Sequence, residues 1–76
     1  MNEILLKIQD LEYTVAELKK ELRRIKSTIN KVEKLGLSIP SELLFKKGNI
    51  EVELKDFKQE LKALKKVVQL LGYYRG

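Results

Sequence analysis

From Ile4 the apolar residues recur at Ile4, Ile8, Leu11, Val15, Leu18, Leu22, Ile25, Ile29 and Val32, in alternating steps of four and three without a miss. That spacing keeps every one of them on a single narrow stripe of a helix. It assigns Ile8, Val15, Leu22 and Ile29 to heptad position a and Ile4, Leu11, Leu18, Ile25 and Val32 to position d, a period that favours left-handed packing against another helix. A second run, Ile50, Leu54, Phe57, Leu61, Leu64, Val68 and Leu71, repeats the alternation. No a or d position of either run is polar, so nothing in the seams fixes one oligomer size.

Stop signals bound the two runs. Gly36 can take the left-handed conformation that closes a helix, and Leu37 can then fold back toward Val32. Pro40 disfavours helical geometry at Ile39. Asn49 is a good N-cap, and Glu51 and Glu53 follow it in the first turn, where the helix dipole favours acids. Gly72 followed by Tyr73 repeats the first stop. The chain therefore divides into a first helix over about residues 3–35, a connector over 36–49, a second helix over about 50–71 and a short tail over 72–76, all in one domain of 76 residues. At ~1.5 Å per residue the helices are roughly 48 and 33 Å long, so the first projects past the second. In the connector, Ser41 to Lys46 are suited to one short helical turn that carries Leu43, Leu44 and Phe45 onto Ile29 and Val32. A rival arrangement makes Leu44 to Leu54 a β-hairpin, with Gly48 and Asn49 at its turn.

Charge selects how the helices pair. The first half of helix 1 carries Glu3, Asp10, Glu12 and Glu17 against Lys7; its second half carries Lys19, Lys20, Arg23, Arg24, Lys26, Lys31 and Lys34 against Glu21 and Glu33. Helix 2 repeats the order, with Glu51, Glu53, Asp56 and Glu60 against Lys55 and Lys58, followed by Lys62, Lys65 and Lys66 with no acid. An antiparallel hairpin sets acid beside base at both ends, while a parallel pair stacks like on like. Each exposed pair contributes only about 0.2 to 1 kcal/mol, enough to select an orientation but not to build a fold.

The open end of such a hairpin is over-supplied with apolar groups: Ile4, Leu5, Leu6 and Ile8 face Leu64, Val67, Val68, Leu70 and Leu71. A surplus of this kind marks an association site. A chain this short buries little of its own surface, and it has no Cys for disulfides and no His for zinc. Oligomerisation is the remaining way to complete a core. The expected architecture is all-α, an antiparallel helical hairpin that forms a coiled coil or four-helix bundle by homo-oligomerisation. A homodimer is favoured, with trimer and tetramer open.

The composition also narrows the chemistry. A nucleophile needs a base beside it, and here Ser27, Ser38 and Ser41 have only Lys or carboxylate to turn to. Acid pairs such as Glu17 with Glu21 or Glu51 with Glu53 read as solvated helix faces. Gly36, Gly48, Gly72 and Gly76 are scattered and form no phosphate-cradling loop. No catalytic, cofactor or metal site and no small-molecule substrate is expected. The longest apolar run is three residues, against the about 20 that span a bilayer, and the seams are too narrow for a lipid-surface helix. No leader precedes the pattern, so a soluble, cytoplasmic protein is the expectation. Richness in Lys, Glu, Ile and Leu resembles proteins from hot environments.

The surface charge has a functional direction. The formal net charge is +5. Lys19 and Lys26 fall at e, where Glu51, Glu53 or Glu60 can answer them. Lys20, Arg23, Arg24, Lys31 and Lys34 fall at b, c or f, with Lys46 and Lys47 in the nearby connector. Lys20, Arg24, Lys31 and Lys34 make a stripe roughly 21 Å long, on the scale of a phosphate backbone. The residues thus point first to a non-enzymatic oligomerisation and protein-interaction module. The alternative is a small basic accessory protein that contacts duplex nucleic acid through this face without reading its sequence. Tyr73, Tyr74 and Arg75 form a tail suited to closing the bundle end against Ile4 and Leu5.

Overall fold

The computed structural model describes residues 3–72. It consists of two helices, α1 (Glu3–Lys34) and α2 (Ser41–Leu71), packed against each other, with no strand among the described residues. The molecule is a rod of 54 × 18 × 17 Å.

α1 ends as its sequence directs. Gly36 has φ +74°; its N–H donates to the Glu33 carbonyl (2.9 Å), and the Leu37 N–H donates to the Val32 carbonyl (3.2 Å). These are the two bonds of a Schellman motif, which satisfies carbonyls that the helix end would otherwise leave open. α2 closes similarly on Gly72 (φ +73°), whose N–H donates to the carbonyls of Gln69 and Val68. The expected tail residues Tyr73, Tyr74 and Arg75 lie outside the described residues.

The start of α2 corrects the sequence reading. Residues 36–49 are not a connector: only the turn from Leu35 to Pro40 separates the helices, and neither a β-hairpin over Leu44–Leu54 nor an N-cap at Asn49 is formed. Pro40 initiates the helix instead. It holds φ −58° and ψ 133°, and its carbonyl accepts from the N–H groups of Leu43 (3.0 Å) and Leu44 (3.4 Å). Proline suits this place because a helix start has no use for its missing N–H. Gly48 and Asn49 then sit inside the helix. A central Gly costs about 0.5–1 kcal/mol relative to Ala, a penalty smaller than the gain from seating Leu43 and Ile39 on the core. The helices are consequently nearly equal, 32 and 31 residues, and no part of α1 projects.

The core runs along the stripe expected from the apolar spacing. Among the described residues, Ile8, Leu11, Val15, Ile25, Ile29, Ile50, Leu54 and Val68 are buried. Ile4, Leu18, Leu22, Val32, Phe57, Leu61 and Leu64 are half-buried, while Leu71 is exposed. At the turn end Val15, Ile25, Ile29, Ile50 and Leu54 form one cluster, with Leu18, Leu22, Ile39, Leu43 and Phe57 against it. At the open end Ile8 and Val68 are sealed completely.

Carried back from Ile50, the same alternation lands on Lys47 and then Leu43, so the longer helix does bring one polar residue onto the stripe. Lys47 is half-buried there, its Nζ 3.8 Å from Glu51 Oε1 one turn on. It is the one departure from an otherwise apolar stripe.

Candidate functional site

The two helices lie antiparallel, and charge marks their alignment. Lys65 Nζ is 3.4 Å from Glu12 Oε2, joining the acidic start of α1 to the basic end of α2 as the charge pattern requires. Nearer the turn, Lys46 Nζ is 3.6 Å from Glu21 Oε1.

This alignment divides the cations expected to form one outer face. Lys20, Arg24 and Lys46 border a shallow cleft of about 320 Å³ that also contains Glu17 and Glu21, over Leu18. Its cations therefore sit among carboxylates. Lys46 and Lys47 are not loop residues: both ride on α2 and both are engaged, with Glu21 and Glu51 respectively. Lys31 and Lys34 occupy the last turn of α1, where cations are favoured by the partial negative charge of the carbonyl end. Arg23 faces elsewhere.

Arg23 lines a different cleft, of about 420 Å³, together with Lys19 and Lys26 from α1 and Lys58 from α2. Leu22 and Leu54 complete its lining, and no acid takes part. Glu51, Glu53 and Glu60 do not answer Lys19 or Lys26, contrary to the sequence expectation; Glu51 is held by Lys47 on its own helix. None of the four cations makes an ion pair among the described residues. The cause is register. Two turns inward from Glu12 and Lys65, both helices present a lysine, Lys19 on α1 and Lys58 on α2, so like charges border one cleft where acid and base pair further out.

Beyond Lys58 a broader hollow of about 820 Å³ continues along α2, bordered by Lys58, Lys62, Lys65 and Lys66 with Leu61 and Ala63 between them. It too contains no acid in its lining, although Lys65 reaches Glu12. Lys58 belongs to both depressions and makes them one continuous basic flank.

Among the described residues, no group of three or more His, Cys, Asp or Glu side chains is placed to hold a metal ion. No helix among them is long and apolar enough to cross a membrane. No protein-family model, curated protein or solved structure matches the chain.

Proposed function

We propose that this chain is a non-enzymatic assembly module: a heptad-packed coiled-coil hairpin that pairs with a second copy of itself into a four-helix bundle and offers the outer faces of that bundle to another macromolecule. The observation that carries this reading is the amount of surface left uncovered. The chain exposes 6141 Å², whereas a compact folded chain of its 8.9 kDa mass exposes about 4,800 Å². The excess of about 1,300 Å² exceeds the roughly 800 Å² that each partner contributes to a stable interface. A single layer of two helices has no interior beyond its seam, and stable domains pack a further layer on the apolar side.

The open end is where the second copy seats. Ile8 and Val68 fill the space between the helices there, leaving Leu6, Val67, Leu70 and Leu71 at 43, 37, 75 and 56% exposure. This is the division of the apolar surplus that the sequence implied. Lys47 gives the bundle one polar position on an apolar seam, a device that selects among registers and oligomer sizes at some cost in stability.

Sedimentation equilibrium of the wild type at micromolar concentration, beside a Val67→Glu/Leu70→Glu variant, tests the proposal. Both side chains lie outside the hairpin core, so the variant keeps its helix content while its mass falls to 8.9 kDa. A wild-type chain that sediments as a folded monomer overturns the proposal. So does a doubly substituted chain that keeps the wild-type mass.

A further inference from the structure

We infer that the flank built from Lys19, Arg23, Lys26 and Lys58 is a polyanion site whose ligand is the phosphate backbone of a nucleic-acid duplex. It is a different surface from the outer stripe of Lys20, Arg24, Lys31 and Lys34, which the structure intersperses with Glu17 and Glu21 or places at a helix end.

Three features converge on this flank. Its cations come from both helices and surround one cleft of about 420 Å³ with no acid in the lining. Like Lys20, Arg24, Lys31 and Lys34 they make no ion pair among the described residues, but unlike Lys20 and Arg24 they share their cleft with no carboxylate. Leu22 and the buried Leu54 line the same cleft, and apolar, low-dielectric walls focus the field of charges set around them.

The geometry favours a backbone over a single small anion. Through Lys58 the cleft opens into the hollow bordered by Lys62 and Lys66. From Leu54, which lines the cleft with Lys26, to Lys66 the track covers roughly 18 Å at 1.5 Å per residue. That is the length of about five base pairs at 3.4 Å per pair. The lining of the track has no aromatic residue, so unpaired bases have no aromatic ring to stack on. Duplex phosphates are the ligand that such a surface recognises, independently of sequence.

Register gives the site a signature that an ordinary solvated face lacks. Lys19 and Lys58 border one cleft from opposite helices with no acid in its lining, so their like charges oppose the pairing of the helices there, and a bound polyanion offsets that repulsion. Lys58→Glu therefore removes the site and improves the hairpin in one step, because the introduced carboxylate sits beside Lys19, Arg23 and Lys26.

The test is fluorescence anisotropy of labelled duplex DNA and duplex RNA of arbitrary sequence, starting at about 50 mM salt with protein up to tens of micromolar. Wild type is expected to bind both duplexes, with log affinity falling against log salt by about 0.9 for each phosphate contacted, hence a slope of about 3 to 4 for four cations. Lys58→Glu is expected to bind at least tenfold more weakly while melting no lower than wild type, and Lys19→Gln/Lys58→Gln to show the same loss without the added acid. Replacing Lys20, Arg24, Lys31 and Lys34 together by Gln is expected to leave more than half of the binding free energy. The inference is overturned if wild type shows no binding at tens of micromolar. It is equally overturned if Lys58→Glu binds like wild type, if the fourfold Gln variant alone loses binding, or if anionic phospholipid vesicles are bound and the duplexes are not. Because the readout is anisotropy and not mass, failure here leaves the self-association proposal to its own sedimentation test.

Discussion

Gly48 and Gly36 both have open space around them, yet their substitution by Ala should move stability in opposite directions. A Cβ added at either position meets no heavy atom within 4 Å, so neither change carries a steric cost from packing. What separates them is the backbone. Gly48 lies inside α2 in ordinary helical conformation, where Ala restricts the unfolded chain and favours the helix by about 0.5–1 kcal/mol. Gly36 holds φ +74°, where an L side chain costs roughly 1–2 kcal/mol. For a domain of this size 1 kcal/mol corresponds to about 4–8 °C. Gly48→Ala should thus raise the midpoint by roughly 2–8 °C and Gly36→Ala should lower it by at least about 4 °C. Thermal melts followed by circular dichroism at one fixed protein concentration read both. If residues 36–49 were instead a connector capped at Asn49, Gly48→Ala would be neutral or destabilising. Either of those results refutes the continuous α2 and the claim that nothing packs on Gly48.

Leu54→Asp should unfold the protein, since it buries an unpaired carboxylate in the turn-end cluster, whereas Val52→Asp, 61% exposed two residues away, should change the midpoint little; equal effects in urea melts would mean that the helix presents a different face. Glu12→Gln should cost no more than about 1 kcal/mol, an effect that high salt erases, because both partners of the Glu12–Lys65 pair are half exposed; a larger, salt-independent loss would show that the pair does more than align the helices.

The apolar spacing made α1 legible almost to the residue, because a stripe repeated over nine positions leaves little choice of period and Gly36 has few other uses after Val32. The start of α2 was obscured for a local reason. Gly48 and Asn49 are poor helix residues, and adjacent to Ile50 they read as a break and a cap. Their cost is under about 2 kcal/mol in total, and it is outweighed once Leu43 and Ile39 reach the core beside Ile29. The information was present in the alternation itself, which continues back from Ile50 to Leu43 but passes through Lys47, and a lysine on the stripe disguises it.

The basic surface was harder to foresee than the helices. Which cations remain without carboxylate partners depends on the offset between α1 and α2, and that offset is set by the short turn from Leu35 to Pro40, not by the longer connector that a cap at Asn49 implies. With α2 beginning at Ser41, Glu21 meets Lys46 and Lys19 shares a cleft with Lys58. A helical wheel drawn for α1 alone contains neither relation. The wheel does put Lys19, Arg23 and Lys26 on one stripe, at spacings of four and three, but it cannot show that Lys58 joins them and that no acid does.

The central proposal, that the hairpin completes its core with a second copy, is tested most directly by how its melting midpoint depends on concentration. Folding coupled to association makes the midpoint rise with total protein, by mass action alone. Scans from about 1 to about 100 µM chain should show a steady increase, with substitution of the exposed Leu70 and Val67 by Glu flattening it. A cooperative transition at the same temperature throughout that range, from a species of 8.9 kDa, would contradict the account.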